Sequence, residues 1–132
     1  MDTQTWYQNL LKPSWAPPAW LFGPVWSVLY IIIAATFGYA VFLFFQGRIS
    51  FLVLLPFILN LIFNFAFSPI QFRLQNNLLA AVDILLILGT LTWAMLAIYP
   101  HARWIALANV PYLLWVLFAT ALQLTITYLN WK

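Results

Sequence analysis

Residues 20–45 read WLFGPVWSVLYIIIAATFGYAVFLFF, a run without one charged side chain. At 1.5 Å per residue a helix of that length exceeds the ~30 Å hydrocarbon core of a bilayer. A helix on a water-soluble domain keeps a polar face. This stretch has none, so it reads as a membrane span.

The reading extends along the chain. A polar break, Gln46-Gly47-Arg48-Ile49-Ser50, precedes a second apolar stretch over 51–70. The segment QFRLQNN, Gln71 to Asn77, separates it from a third over 78–99, whose one charge is Asp83. After Pro100-His101-Ala102-Arg103 a fourth runs over 104–130. Connections this short make each helix antiparallel to its neighbour in sequence. The expected fold is all-α: a polytopic transmembrane helix bundle with four spans, forming a single integral-membrane domain over 1–132. Residues 1–19, MDTQTWYQNLLKPSWAPPA, are rich in proline and aromatic residues and read as an interfacial loop over one mouth of the bundle.

Composition excludes most other classes. The chain is 66% apolar and 5% charged, against roughly 25% charged in soluble domains. Five cations, two carboxylates and one histidine cannot coat a water-facing surface, and no basic run exists to hold nucleic acid. There is no cysteine, so no disulfide framework and no thiolate ligand. No metal-binding, phosphate-binding or hydrolytic constellation occurs, and no catalytic residue is assigned from these patterns. His101 reads as a solvated loop residue. Asp83 reads as a structural charge near a helix N-terminus, held by the helix dipole and by donors such as Asn76, Asn77 or Arg73.

Polar residues at helical spacing carry more information. Asn60 and Asn64, with Phe63 and Phe67 beside them, share one face of the second span. Asn109, Tyr112, Thr120, Gln123 and Thr127 share a face of the last, flanked by Trp115 and Ala119. Lipid offers amides no partner, so both faces turn inward, either as hydrogen-bond glue between helices or as the wall of a polar-aromatic cavity. Phe22, Trp26 and Tyr30 form an i, i+4, i+8 row on the first span. Pro56, Pro69 and Pro111 are expected to kink or end their helices. Trp26 and Trp115 lie well inside their spans, where an indole N–H needs an acceptor. Such walls suit a large, planar, mostly apolar ligand.

The stretch from Trp6 to Tyr30 resembles the signature of the tryptophan-rich sensory protein (TspO/MBR, peripheral benzodiazepine receptor) family. The matching pieces are W-Y-x(4)-K-P-x-W-x-P-P, Pro24-Val25-Trp26 and Leu29-Tyr30. Asn60-x(3)-Asn64, Phe67-Ser68-Pro69, Val82-Asp83 and Pro111-Tyr112-x(2)-Trp115-x(2)-Phe118-Ala119-Thr120 follow in order. The resemblance implies a receptor or carrier that binds a porphyrin such as protoporphyrin IX as ligand, without a resident cofactor. It implies a cavity lined by Tyr7, Trp15, Trp26, Tyr30, Asn64, Phe67, Trp115 and Ala119. It also implies a bacterial cytoplasmic membrane and a tendency to form homodimers. Light-dependent porphyrin breakdown through Trp26, or transport of porphyrin or lipid, are the alternative activities it raises. Members usually carry five spans, and the one that normally precedes Trp6-Tyr7 is not among these residues, so one flank of the cavity is expected to be open. Gln123-Leu124 stands where animal members carry an Asn-Tyr pair, so cholesterol specificity is not expected.

Overall fold

A computed structural model describes residues 12–16, 19–70, 74 and 76–130. They form five helices: α1 (Ala19–Phe45), α2 (Phe51–Ser68), α3 (Asn77–Ile98), α4 (Arg103–Ala108) and α5 (Val110–Leu129). No strand occurs among the described residues. Three helices, α1, α3 and α5, are long and apolar enough to cross a membrane, and α2 is a shorter apolar one. The protein is an integral-membrane helical bundle.

Local chemistry sets the helix ends. α1 stops at Gly47, whose φ of +74° suits a residue without Cβ. There the Gly47 amide donates to the Phe44 carbonyl at 3.0 Å and the Arg48 amide to that of Leu43 at 2.9 Å. These paired bonds satisfy carbonyls that a helix end leaves open. α3 starts on Asn76, whose side chain accepts from the Leu79 amide at 2.9 Å. Pro69 ends α2, whereas Pro24 and Pro56 are accommodated inside α1 and α2.

The last span, read over 104–130 with Pro111 expected to kink or end its helix, does break beside that proline. It is two helices, α4 and α5, broken at Asn109 (φ −90°, ψ 4°). Pro111 is the cause: it has no N–H, and its ring clashes with the carbonyl four residues back in a continuous helix. Placed in the first turn of α5 it costs nothing, because amides there lack intrahelical partners. The second span is α-helical over Phe51–Ser68 and continues as π-helix over 69–70, in line with the reading of 51–70.

α3 packs most extensively on α2 and α5, while α1 lies more lightly against α2, α4 and α5. The apolar core is built from Leu29, Ile33 and Phe37 of α1, Leu54 and Phe57 of α2, Ile84, Ile87 and Leu91 of α3, and Val116 of α5. Phe37 and Phe57 meet edge to face at 4.8 Å. One end of the bundle, carrying the α1–α2 and α3–α4 connections, has an aromatic-cationic rim. Trp104 sits edge-on to Tyr39 at 5.2 Å, and the Arg103 guanidinium lies over the Tyr99 ring at 5.3 Å. Such residues anchor spans at the headgroup level. His101 is exposed in the α3–α4 connection.

Two glycines should respond oppositely to the same change. Gly47→Ala forces a Cβ into the left-handed region and should destabilise the fold by about 1 kcal/mol. Gly89, where a Cβ would meet no atom within 4 Å, should gain up to about 1 kcal/mol as alanine. The midpoint of SDS unfolding, followed by circular dichroism on the detergent-solubilised protein, reads both.

Candidate ligand site

The bundle interior is organised around the Tyr112 hydroxyl. It donates to Asn60 Oδ1 at 2.8 Å and accepts from Asn64 Nδ2 at 2.7 Å. Asn60 passes the connection to α3, donating through Nδ2 to the Ile87 carbonyl at 3.0 Å and to Thr90 Oγ1 at 3.2 Å. Asn64 Oδ1 accepts from the Tyr30 hydroxyl of α1 at 3.1 Å. One hydrogen-bonded chain therefore ties α1, α2, α5 and α3 together. Asn60 and Tyr112 are both 0% exposed, so water does not compete for these bonds.

Two further polar contacts cross the bundle. Asn109, at the helix break, donates to Thr36 Oγ1 at 3.0 Å and to the Ile105 carbonyl at 2.8 Å. Near the far end, Gln123 Nε2 and Thr127 Oγ1 both donate to the Asn77 carbonyl, at 3.3 and 3.0 Å. The polar face read on the last span thus points inward: Asn109, Tyr112, Thr120, Gln123 and Thr127 are all buried.

Aromatic rings form two groups beside this network. Trp26 lies 5.5 Å from Tyr30 and 6.4 Å, edge-on, from Tyr112. The second group is a continuous sequence of contacts: Trp15 to Phe118 at 5.7 Å, Phe118 to Trp115 at 5.4 Å, and Trp115 to Phe22 at 5.9 Å. Trp115 and Phe118 bound an apolar cleft of about 460 Å³ between α1 and α5, together with Val25, Val28, Leu29, Pro111 and Leu114. That volume lies in the range of small-molecule pockets. Trp115 Nε1 is buried and has no hydrogen-bond partner among the described residues.

Of the residues singled out from sequence, Trp26, Tyr30 and Asn64 come together through Tyr112. Trp15 and Trp115 belong to the second ring group. Phe67 and Ala119 are partly buried against the core. Tyr7 lies outside the described residues, as do Arg73 and the first eleven positions. Asn64 serves as a joint between helices: both ends of its amide already hold tyrosine hydroxyls. Asp83 lies buried near the start of α3. It is 5% exposed and its Oδ2 has no hydrogen-bond partner among the described residues. Of the expected donors Asn76, Asn77 and Arg73, Asn76 accepts a bond from the Leu79 amide through Oδ1, and Arg73 lies outside the described residues. Tyr112 and Phe118 were legible as inward-facing or motif residues, but their place at the centre of the hydrogen bonds and the ring contacts was not.

A membrane-embedded helical bundle, sealed by an Asn–Tyr network and lined by tryptophan, is the class of protein that these features define. Residues 1–129 match the TspO/MBR family, and the chain belongs to it. It is 37% identical to the tryptophan-rich protein TspO of Archaeoglobus fulgidus, over 98% of this chain and 82% of that protein. It is 40% identical to the tryptophan-rich protein TspO of Bacillus cereus, over 96% and 82%. To the human translocator protein it is 36% identical over 71% of this chain and 56% of the other.

Tyr112→Phe removes the partner of two buried amides and should destabilise the bundle by about 1–3 kcal/mol. Tyr30→Phe breaks one bond at a residue that is 40% exposed and should cost only about 0.6 kcal/mol. SDS unfolding of the two variants measures the difference; equal losses would show that Tyr112 is not the hub.

Proposed function

We propose that the chain binds a planar, largely apolar tetrapyrrole, with protoporphyrin IX as the representative ligand. The observation that carries this reading is the run of four touching rings, Trp15, Phe118, Trp115 and Phe22, beside the α1–α5 cleft. Four rings set edge-on and tilted to one another offer a macrocycle several separate π contacts. Trp26, backed by Tyr30 and Tyr112, supplies a second aromatic surface on α1. Family membership supports the same reading, since relatives carry the names tryptophan-rich protein TspO and translocator protein. Receptor or carrier is the role that this site fits, in a bacterial cytoplasmic membrane.

The hydrogen-bonded asparagines enter indirectly. Asn64 holds Tyr30, against which Trp26 rests, so it positions the ring surface without having to touch the ligand. Titration of the detergent-solubilised protein with protoporphyrin IX, read by the porphyrin's own absorbance, tests the proposal. Trp115→Leu and Trp26→Leu should each raise Kd about two- to tenfold, the loss of one aromatic contact. Trp93→Leu, on the exposed side of α3, should leave Kd unchanged. Saturable binding indifferent to both Trp115 and Trp26 would place the ligand elsewhere and sink the reading.

A further inference from the structure

Among the described residues, α1 reaches other helices with side-chain hydrogen bonds at Tyr30 and Thr36, and the two bonds run to different neighbours. The Tyr30 hydroxyl donates to Asn64 Oδ1 of α2 at 3.1 Å. Thr36 Oγ1 accepts from Asn109 Nδ2 at 3.0 Å, at the break between α4 and α5. Thr36 is 2% exposed and Asn109 1%, so no solvent competes for the second bond. Both partners are held in place. The Thr36 hydroxyl proton is committed to the Ile32 carbonyl at 2.7 Å, which leaves a lone pair for Asn109. The Asn109 amide also donates to the Ile105 carbonyl at 2.8 Å, which fixes it against its own span.

This bond sits at the head of the Trp115 cleft. Pro111, two residues on from Asn109, lines that cleft on α5, and Leu114 follows it. On α1 the wall includes Val28 and Leu29, the latter roughly 10 Å along the helix from Thr36. Val28 is two residues from Tyr30 and so on the opposite side of α1, away from the bond to α2. Ring contacts, Trp26 with Tyr112 and Phe22 with Trp115, make up much of the remaining seam between α1 and α5. In a bilayer apolar contacts of this kind gain no hydrophobic drive, because acyl chains replace them at little cost. The Thr36–Asn109 bond is therefore what opposes the hold of α2 on α1. α5 does not follow α1, being tied to α3 through Gln123, Thr127 and the Asn77 carbonyl.

We propose that Thr36 and Asn109 are positioning residues for the ligand cleft: their hydrogen bond sets the separation of α1 from α5, and with it the grip of the cleft on a planar ring. Neither side chain lines the cleft. The ligand part rests on the tetrapyrrole reading, whereas the helix separation is independent of it. Without the bond, α1 is hydrogen-bonded to α2 alone and the seam with α5 widens. A wider seam holds a flat ligand through fewer simultaneous ring contacts.

The chain has no cysteine, so the pair Val28→Cys and Leu114→Cys places spin labels at two defined sites across the cleft, both 59% exposed. Pulsed electron double resonance on the ligand-free, detergent-solubilised protein reads their separation. Thr36→Val keeps the shape and loses the acceptor, and should lengthen and broaden the distance distribution. Thr36→Ser keeps the hydroxyl and should leave it as in the parent chain. Gln123→Leu removes a polar tie between α5 and α3 and should also leave it unchanged, which controls for general loosening. In the unlabelled chain Thr36→Val should raise the Kd for protoporphyrin IX about threefold, the equivalent of one membrane hydrogen bond, while Thr36→Ser and Gln123→Leu should not. An unchanged distance in Thr36→Val, or equal widening in Gln123→Leu, overturns the proposal. A wider seam with unchanged affinity overturns its link to the ligand. A parent chain that binds no protoporphyrin IX sinks the tetrapyrrole reading instead, and the seam distance still decides what the bond does.

Discussion

A bilayer gives polar side chains nothing to bond with, and the architecture depends on how this chain meets that constraint. Apolar surface gains little by moving from lipid to a helix interface, so hydrophobic burial does not drive assembly as it does in water. Packing and interhelical hydrogen bonds remain. The Tyr112 hydroxyl, bonded on both sides by asparagines, converts one buried group into a joint among α2, α3 and α5, and through Tyr30 reaches α1. Asn109 with Thr36, and Gln123 and Thr127 with the Asn77 carbonyl, repeat the device at other depths. Each contact fixes the rotation of a helix about its own axis, which packing of smooth apolar faces alone leaves loose.

That division of labour explains which features were readable from the sequence. The spans were plain because nothing in residues 20–45 could face water. The inward faces of α2 and α5 were plain because amides at helical spacing have one tolerable orientation in lipid. What an amide does once inside was not readable: spacing left Asn64 open between interhelical glue and cavity wall, and both ends of its amide hold Tyr30 and Tyr112. Hydropathy also passed over the break at Asn109. It arises from the ring of Pro111, a steric effect two residues away that leaves the mean apolar character intact. Asp83 was read at depth and the structure buries it, while Asn76, one of three donors named for it, also caps α3.

Of the candidate site, the tryptophans were the legible part and the contacts between rings were not. Trp26 and Trp115 stood out because they lie far from the headgroup belts. Their partners Phe118, Phe22 and Tyr112 come from a different helix or a different turn, and which rings touch follows from how α1 leans on α5. That lean is light compared with the packing of α3 on α2 and α5. The more extensively packed part of the bundle is therefore α2, α3 and α5, and the Trp115 cleft opens along α1.

The polar equipment of α5 has a consequence for how the protein is made. Mean hydropathy falls from 2.4 over Trp20–Phe45 to 2.1 over Asn77–Ile98 and 1.6 over Val110–Leu129. Of these three spans α5 is thus the least inclined to leave the translocation channel for lipid by itself. By the time it emerges, Asn60, Asn64, Thr36 and the Asn77 carbonyl are already in the membrane. Its entry is then a docking onto waiting partners, and the order of the genes' codons becomes part of the folding pathway.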